Sequence, residues 1–283
     1  MAPQIGGIVV LGTVDAEAGE GFSPAYFEEL IQLEAGHFWF RARNRLLLWA
    51  ANKYLAKAHC FMEIGCGTGF VLQALHAHRP TLKLTGSELF LEGLTFAATR
   101  MPDVELLQMD AKAIPFLDHF DGLGAFDVLE HVHDDQAVLA QFYRALRPGG
   151  RLLLTVPQHP WLWSVNDEYA HHHRRYRKAQ LCSHVRQAGF NILRATSFVS
   201  LLLPLLFLSR MSRNARSAFD PLEEYRIAPW KQWILEQIMK VEYQFIRLGW
   251  NWPLGGSLLM IAEKPHLQHP GAPTATRDQL AED

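Results

Sequence analysis

Residues 63–69 read Glu63-Ile64-Gly65-Cys66-Gly67-Thr68-Gly69, directly after the apolar run Cys60-Phe61-Met62. A strand that ends in a tight glycine turn and hands over to a helix leaves the helix's first backbone N–H groups unpaired and aimed at one spot. In an open α/β sheet, ligands bind there, at the carboxyl ends of the strands. The glycines fall at relative positions one, three and five, whereas a dinucleotide loop places them at one, three and six. The sixth position here is Phe70, and no Gly-Lys-Ser/Thr follows, so a P-loop is excluded. Glu63, at the strand end, repels a pyrophosphate and attracts an ammonium group. The expected ligand carries a positive group rather than two phosphates.

Outward from the loop, short apolar runs alternate with helical stretches, as in a parallel sheet covered on both faces. Strands are expected at Cys60–Ile64, Leu82–Ser87, Val104–Gln108, Gly122–Asp127 and Arg151–Val156. Helices are expected at Phe70–His78, Leu91–Arg100 and Gln136–Leu146, with Arg147–Gly150 a turn. Upstream, Tyr26–Ala56 reads as helix broken at Gly36; downstream, Phe190–Thr196 and Ser257–Glu263 read as late strands. Between those late strands, Trp230, Ile234, Ile238, Val241, Phe245 and Leu248 recur at steps of four and three. That spacing predicts an amphipathic helix with this stripe packed on its own domain. Two further acids fall at strand ends. Glu88 is placed to accept from a ribose diol, and Asp110 to meet an adenine edge.

The segments Glu63–Gly69, Thr85–Glu88, Gln108–Asp110, Phe120–His131 (ending Asp127-Val128-Leu129-Glu130-His131) and Leu146–Gly150 occur in that order. As a set they resemble the successive motifs of class I S-adenosylmethionine-dependent methyltransferases, in the small-molecule branch that includes quinone-biosynthesis enzymes. His37–Arg43 and Asn166–Tyr176 resemble the cofactor-closing and substrate-bordering segments of one bacterial subgroup, and Pro253–Leu258 also fits it. The resemblance implies an α/β fold with a Rossmann-like seven-stranded sheet, an antiparallel last strand, helices on both faces and a helical insertion or lid between the last two strands. It implies a domain over 26–264, with a cofactor-binding core at 57–157 and the insertion at 198–253. It further implies S-adenosylmethionine as cofactor, held by Phe40, Arg43, Glu63, Gly65, Cys66, Gly67, Thr68, Gly69, Glu88, Leu89, Asp110, Ala111 and Phe126.

On the acceptor side, His131 is the first candidate for a base, with His172 and Tyr176 as further catalytic candidates. Histidine suits proton transfer at neutral pH. Trp163, Arg174 and Arg175 are expected at the substrate, as an aromatic and cationic rim. The run His171-His172-His173 invites a metal, but three consecutive residues point roughly 100° or 180° apart and do not converge on one ion. A pair with Asp167 or His159 added is the remaining geometry; the expectation is no metal.

Lys and Arg number 27 against 29 Asp and Glu, a net charge of −2, so no nucleic acid is expected as partner. Three scattered cysteines indicate reduced thiols in a cytoplasmic protein. Residues 1–25 and 265–283 are expected to be weakly ordered. The greasy run Phe198–Leu208, broken by Pro204 and followed by Arg210, Arg213 and Arg216, is too short to span a bilayer. It reads as a lid over the site, with a peripheral membrane contact through 198–216 left open. The expected function is methyl transfer to oxygen or nitrogen of a small, apolar or lipid-like acceptor. The alternatives are a cofactor-binding regulatory or interaction module and, against Glu63 and the glycine spacing, a nicotinamide-dependent oxidoreductase.

Overall fold

The computed structural model describes residues 3–11, 26–213 and 226–266. One nine-stranded sheet organises them. Its strands are β1 (Gln4–Ile5), β2 (Ile8–Val10), β3 (Cys60–Ile64), β4 (Lys83–Glu88), β5 (Glu105–Gln108), β6 (Phe120–Phe126), β7 (Leu146–Pro157), β8 (Asn191–Phe198) and β9 (Ser257–Glu263). They lie in the order β1-β2-β5-β4-β3-β6-β7-β9-β8. The run from β2 to β7 is parallel, and β9 is antiparallel to both β7 and β8. The seven strands implied by the resemblance are thus present, with the late antiparallel strand inserted between two others.

The added pair is a correction to the expected weak order of residues 1–25. Gln4–Ile5 and Ile8–Val10 form a hairpin, and Val9 and Val10 pair with Leu107 and Gln108. The exposed edge of β5 supplies unpaired backbone groups that a short strand satisfies. The rest of that segment, the tail from residue 267 and residues 214–225, on which the other order expectations and Arg216 fall, lie outside the described residues.

Helices α1 (Tyr26–Leu33), α2 (Phe38–Tyr54), α3 (Phe70–His78), α4 (Leu91–Arg100), α5 (Asp135–Ala145), α6 (Val165–Tyr169), α7 (Lys178–Gln187), α8 (Leu203–Arg213) and α9 (Pro229–Arg247) flank the sheet or lie over its end. Side chains of a strand alternate between faces, so Phe61, Leu153, Leu259 and Ile261 join α2, α3 and α4 in one core. Met62, Leu152, Leu154, Leu258 and Met260 join α5 and α7 in the other. The expected turn at Arg147–Gly150 is absorbed into β7, where Gly149 N–H donates to Lys264 O and Lys264 N–H to Gly150 O. Helix α7, with Leu181 and Val185 buried four residues apart, was not anticipated.

Helix α9 exists as predicted but is rotated. Met239, Glu242 and Ile246 are its buried residues, whereas Trp230 is 63 % exposed, Leu248 85 %, and Ile234, Val241 and Phe245 are exposed as well. The reason is polar. Glu236 meets Arg41 at 2.5 Å and Arg45 at 3.0 Å on α2, and Gln232 Oε1 accepts from Phe38 N–H at 2.8 Å. Buried Glu242 accepts the backbone N–H groups of Val199, Ser200 and Leu201 at 2.6, 2.6 and 2.8 Å. These bonds orient the helix and leave most of its hydrophobic stripe outward.

Glu242 therefore holds the turn from β8 into α8, in which Val199 takes a positive φ of 60°. A Glu242→Ala variant leaves buried N–H donors unpaired, at about 1–3 kcal/mol each. It is expected to lower unfolding stability by roughly 3 kcal/mol in urea titration; a loss under about 1 kcal/mol would contradict this role.

Candidate functional site

The carboxyl ends of β3 to β6 open into a cavity of about 640 Å³, roofed by α1, the start of α2, α8 and the segment leading into α9. Every residue expected at the cofactor lines it except Gly69, which sits beneath as the N-cap of α3. Gly65 and Gly69 have φ of +68° and +78°. A Cβ on Gly65 would come within 2.5 Å of the Val128 side chain, and one on Gly69 within 2.6 Å of Met101. The turn is thus packed from below as well as open to a ligand above.

Glu63 is 2 % exposed, and its Oε2 has no hydrogen-bond partner. Burial pushes its carboxyl up to about 8 against the pull of Arg43, and the nearby Glu88 and Glu34 add to the rise. Glu88 accepts from Gly67 N–H at 3.0 Å and Leu89 N–H at 2.8 Å. Burial raises its pKa while those backbone donors oppose the rise. A carboxylate has about four lone-pair sites, so capacity for a diol remains. Asp110 accepts Lys112 N–H at 2.8 Å and stays half-exposed on the cavity rim.

Two clamps were not foreseen. Thr68 donates to Glu34 at 2.5 Å, and Arg100 bridges Glu34 and Thr68, fixing the end of α1 over the glycine turn. Arg43 pairs with Asp127 at the end of β6 and lies 4.7 Å from the Trp39 ring. The Arg43–Asp127 pair joins the entry helix α2 to the strand that leads to His131. No local pattern marks Glu34 or Arg100, because their partners are far apart in sequence.

The histidine side of the cavity combines the end of β6 and the segment after β7. His131 and His172 approach edge to face with ring centroids 4.7 Å apart, and both line the cavity. Burial, aided by the neighbouring His172, lowers His131 to about 3, so its imidazole is neutral at physiological pH. Beside them Glu130 is fully buried, with both carboxylate oxygens unpartnered. Burial, with Asp127 adding repulsion, raises its carboxyl well above the usual range. Behind His172, Asp167 accepts from Arg175 at 2.7 Å, faces His172 Nδ1 at 2.9 Å and lies 3.3 Å from Arg210 of α8. Burial raises the Asp167 pKa, but the bond to His172 and the two guanidinium groups outweigh it and keep Asp167 ionised far below the normal range.

Three expected acceptor-side residues do not reach the cavity. Tyr176 is fully buried and donates to Asp135 at 2.7 Å, so it is a core residue of the α5–α7 side and not a catalytic one. Arg174 turns the same way, 3.3 Å from Asp135 and donating to His133 O. Trp163 donates to Glu168 at 3.3 Å, off the cavity lining. Arg174 and Tyr176 thus both meet Asp135, while Arg175 between them turns to Asp167. Arg175 does line the cavity, but Asp167 and Gln158 O occupy its guanidinium, which makes it a positioning residue.

The donor set fits S-adenosylmethionine: an orphaned buried carboxylate oxygen for an ammonium, a side-chain-free cradle, and an acid at the next strand end. A family model described as a methyltransferase domain matches residues 31–195. The chain belongs to that family, the S-adenosylmethionine-dependent methyltransferases, and its cofactor is S-adenosylmethionine. It is 31 % identical over 93 residues to the ubiquinone/menaquinone biosynthesis C-methyltransferase UbiE of Desulfotalea psychrophila, covering 32 % of this chain and 38 % of that one. Over 119 residues it is 29 % identical to the ubiquinone biosynthesis O-methyltransferase of Pseudomonas entomophila, covering 40 % and 50 %. The matches thus span half or less of these curated relatives. The fold is also that of the [4+2]-cyclase SpnF, at 19 % identity, a TM-score of 0.54 and 88 % coverage of each chain.

With its carboxyl near 8, Glu63 holds its proton at neutral pH in the free protein. An ammonium placed against it favours the ionised form. Cofactor binding is therefore expected to release about one proton, and affinity to rise as pH climbs toward 8. Calorimetry in buffers of different ionisation heat reads this directly; Glu63→Gln should abolish the release. Equal heats in all buffers for the unaltered protein would refute the assignment.

Proposed function

We propose that this protein transfers a methyl group from S-adenosylmethionine to oxygen or nitrogen of a small, apolar organic acceptor. The observation that carries the reading is the mixed lining of the cavity beyond the glycine loop. It is lined by His131 and His172 and also by Leu202, Leu205, Leu206 and Leu235 from the insertion. When bound, the cofactor supplies a methyl group on a sulfonium, a good leaving group. The remaining work falls to the chain: aligning the acceptor and excluding water. Glu63 holds the ammonium, Glu88 the ribose, and Asp110 borders the adenine. Neutral His131 takes the proton that an acceptor hydroxyl or ammonium gives up, and Asp167 orients His172 beside it. Insertion residues around α8 close the apolar side, with Arg210 tying that helix to Asp167 and Ser164.

The cyclase that shares the fold gives substance to a second reading, in which the domain binds the cofactor without transferring its methyl group. S-adenosylhomocysteine production over an acceptor panel separates the two. Under the first reading, Glu88→Ala weakens cofactor binding about tenfold or more, equivalent to roughly 1.4 kcal/mol. His131→Asn leaves binding intact and lowers turnover by about 10²–10⁴-fold. Cofactor affinity unchanged by Glu88→Ala, or full turnover in His131→Asn, would remove the corresponding assignment.

The cavity mouth also suggests how an apolar acceptor arrives. Leu205 on α8 and Lys231 on α9 line it, and Leu205 is exposed together with Phe207 and Leu208 of α8 and Trp230 and Trp233 of α9. No described helix is long and apolar enough to cross a membrane. Tryptophan and leucine flanked by basic residues suit the plane of a bilayer interface. The proposal places the enzyme in the cytoplasm, docking peripherally on a membrane. Co-sedimentation with anionic vesicles is expected, and its loss when Leu205, Phe207 and Leu208 become serine; binding unaffected by these changes would refute the docking face.

A further inference from the structure

We infer that Glu130, His131 and His172 bind one divalent transition-metal ion on the histidine side of the cavity. The inference deepens the methyl-transfer reading in its role, while the binding itself stands on the three side chains alone.

Candidate ligand atoms of the three residues lie within 4.8 Å of one another, and all three residues line the cavity. Zinc binds imidazole nitrogen and carboxylate oxygen at about 2.0–2.2 Å, which puts two donors on one ion about 3–3.5 Å apart. Small rotamer adjustments of two imidazoles and one carboxylate cover the difference. Two further observations point to a cation at this spot. The first is Glu130 itself: fully buried, with neither carboxylate oxygen bonded to another residue. A buried carboxylate without a partner is costly, and pairing or metal coordination is the usual remedy. The second lies behind His172. Its Nδ1 is 2.9 Å from Asp167 Oδ1, which leaves Nε2 for a ligand. A carboxylate backing the far nitrogen of an imidazole is the arrangement that fixes metal-ligating histidines. Arg175 and Arg210 and the Ser164 N–H in turn anchor Asp167, so the backing group is rigid.

The chain reaches this arrangement by a route the histidine run conceals. His171 and His173 take no part; the second imidazole comes from the end of β6, brought alongside by the pairing of His173 N–H with Glu130 O at 2.7 Å. Two imidazoles and one carboxylate suit borderline ions such as zinc, iron(II) or cobalt(II), and leave coordination positions facing the cavity. An acceptor oxygen or nitrogen occupying one of these would lose its proton more readily, since a bound cation stabilises the anion it leaves. With the ion bound, His131 serves as a ligand and the acceptor's proton passes to solvent water; without it, His131 keeps the role of base given above.

The test uses the full chain, without an affinity tag, stripped with a chelator and titrated with cobalt(II) chloride while visible absorption is recorded. One cobalt per chain, with ligand-field bands and displacement by zinc, is expected. Glu130→Gln and His172→Gln should each weaken binding by roughly 10- to 100-fold. The same variants should keep their affinity for S-adenosylmethionine, which shows that they fold. No cobalt bound by folded protein, or binding unchanged in both variants, overturns the proposal. Stoichiometric cobalt binding without methyl transfer to any acceptor in the panel would sustain the site and count against the methyl-transfer reading instead.

Discussion

Strands β3 and β6 lie side by side and parallel, yet the chain leaves their ends toward opposite faces of the sheet. From β3 it turns through the glycines into α3, which packs with α2 and α4; from β6 it passes to α5 on the other face. Two connections that diverge from adjacent strand ends must leave a crevice between them, and no side chain from the core fills it. Everything functional depends on that topological fact. The loop at Gly65 can close over the end of β6 only because Val128 packs where a Cβ would stand. The glycine loop and the end of β6 are therefore held in fixed relation by a contact that tolerates no side chain.

Into this crevice the fold brings an unusual load of buried acids. Glu63, Glu88 and Glu130 are each desolvated, and burial raises the pKa of all three. Glu88 is compensated by backbone N–H groups, whereas Glu63 and Glu130 retain unpartnered oxygens. Such groups are destabilising in the free protein and become favourable when a cation meets them. Of the two uncompensated acids, Glu63 leads into the glycine loop and Glu130 adjoins His131, and both line the cavity. Stability has been set aside at two points, and both face the space where chemistry is expected.

Asp167 has the opposite character. It is buried but saturated, by His172, Arg175, Arg210 and the Ser164 N–H. Because Arg210 comes from α8, this carboxylate couples the insertion to His172, and a shift of α8 would be felt there. Glu242 plays a comparable part at the root of α8, and Glu236 pins α9 to the entry helix. Charges thus set how the insertion sits on α2 and on the segment after β7, which explains why so much of its apolar stripe remains exposed.

The sequence alone determined the central strands of the sheet, the glycine turn and the acids at strand ends. Those features are local: Cys60–Ile64, Phe70–His78, Leu91–Arg100 and Ser257–Glu263 have the bounds their spacing predicts. A strand's reach from loop to loop fixes Glu63, Glu88 and Asp110 at the same edge without knowledge of anything else. Periodicity failed where the decision was between faces. The stripe from Trp230 to Leu248 is real, but which side of α9 turns inward was decided by Glu236 and Glu242 meeting partners on α2 and after β8. Likewise, the run from His171 to Tyr176 announces polar chemistry without saying which side chain points where. Backbone direction set by β7 and by the His173–Glu130 pairing sends Tyr176 to the core, Arg175 to Asp167 and His172 to the cavity. The partnership of Glu130, His131 and His172 joins residues separated by the length of a helix and a strand. Such a contact exists only once the parallel strands have brought both ends together, so tertiary structure alone could create it.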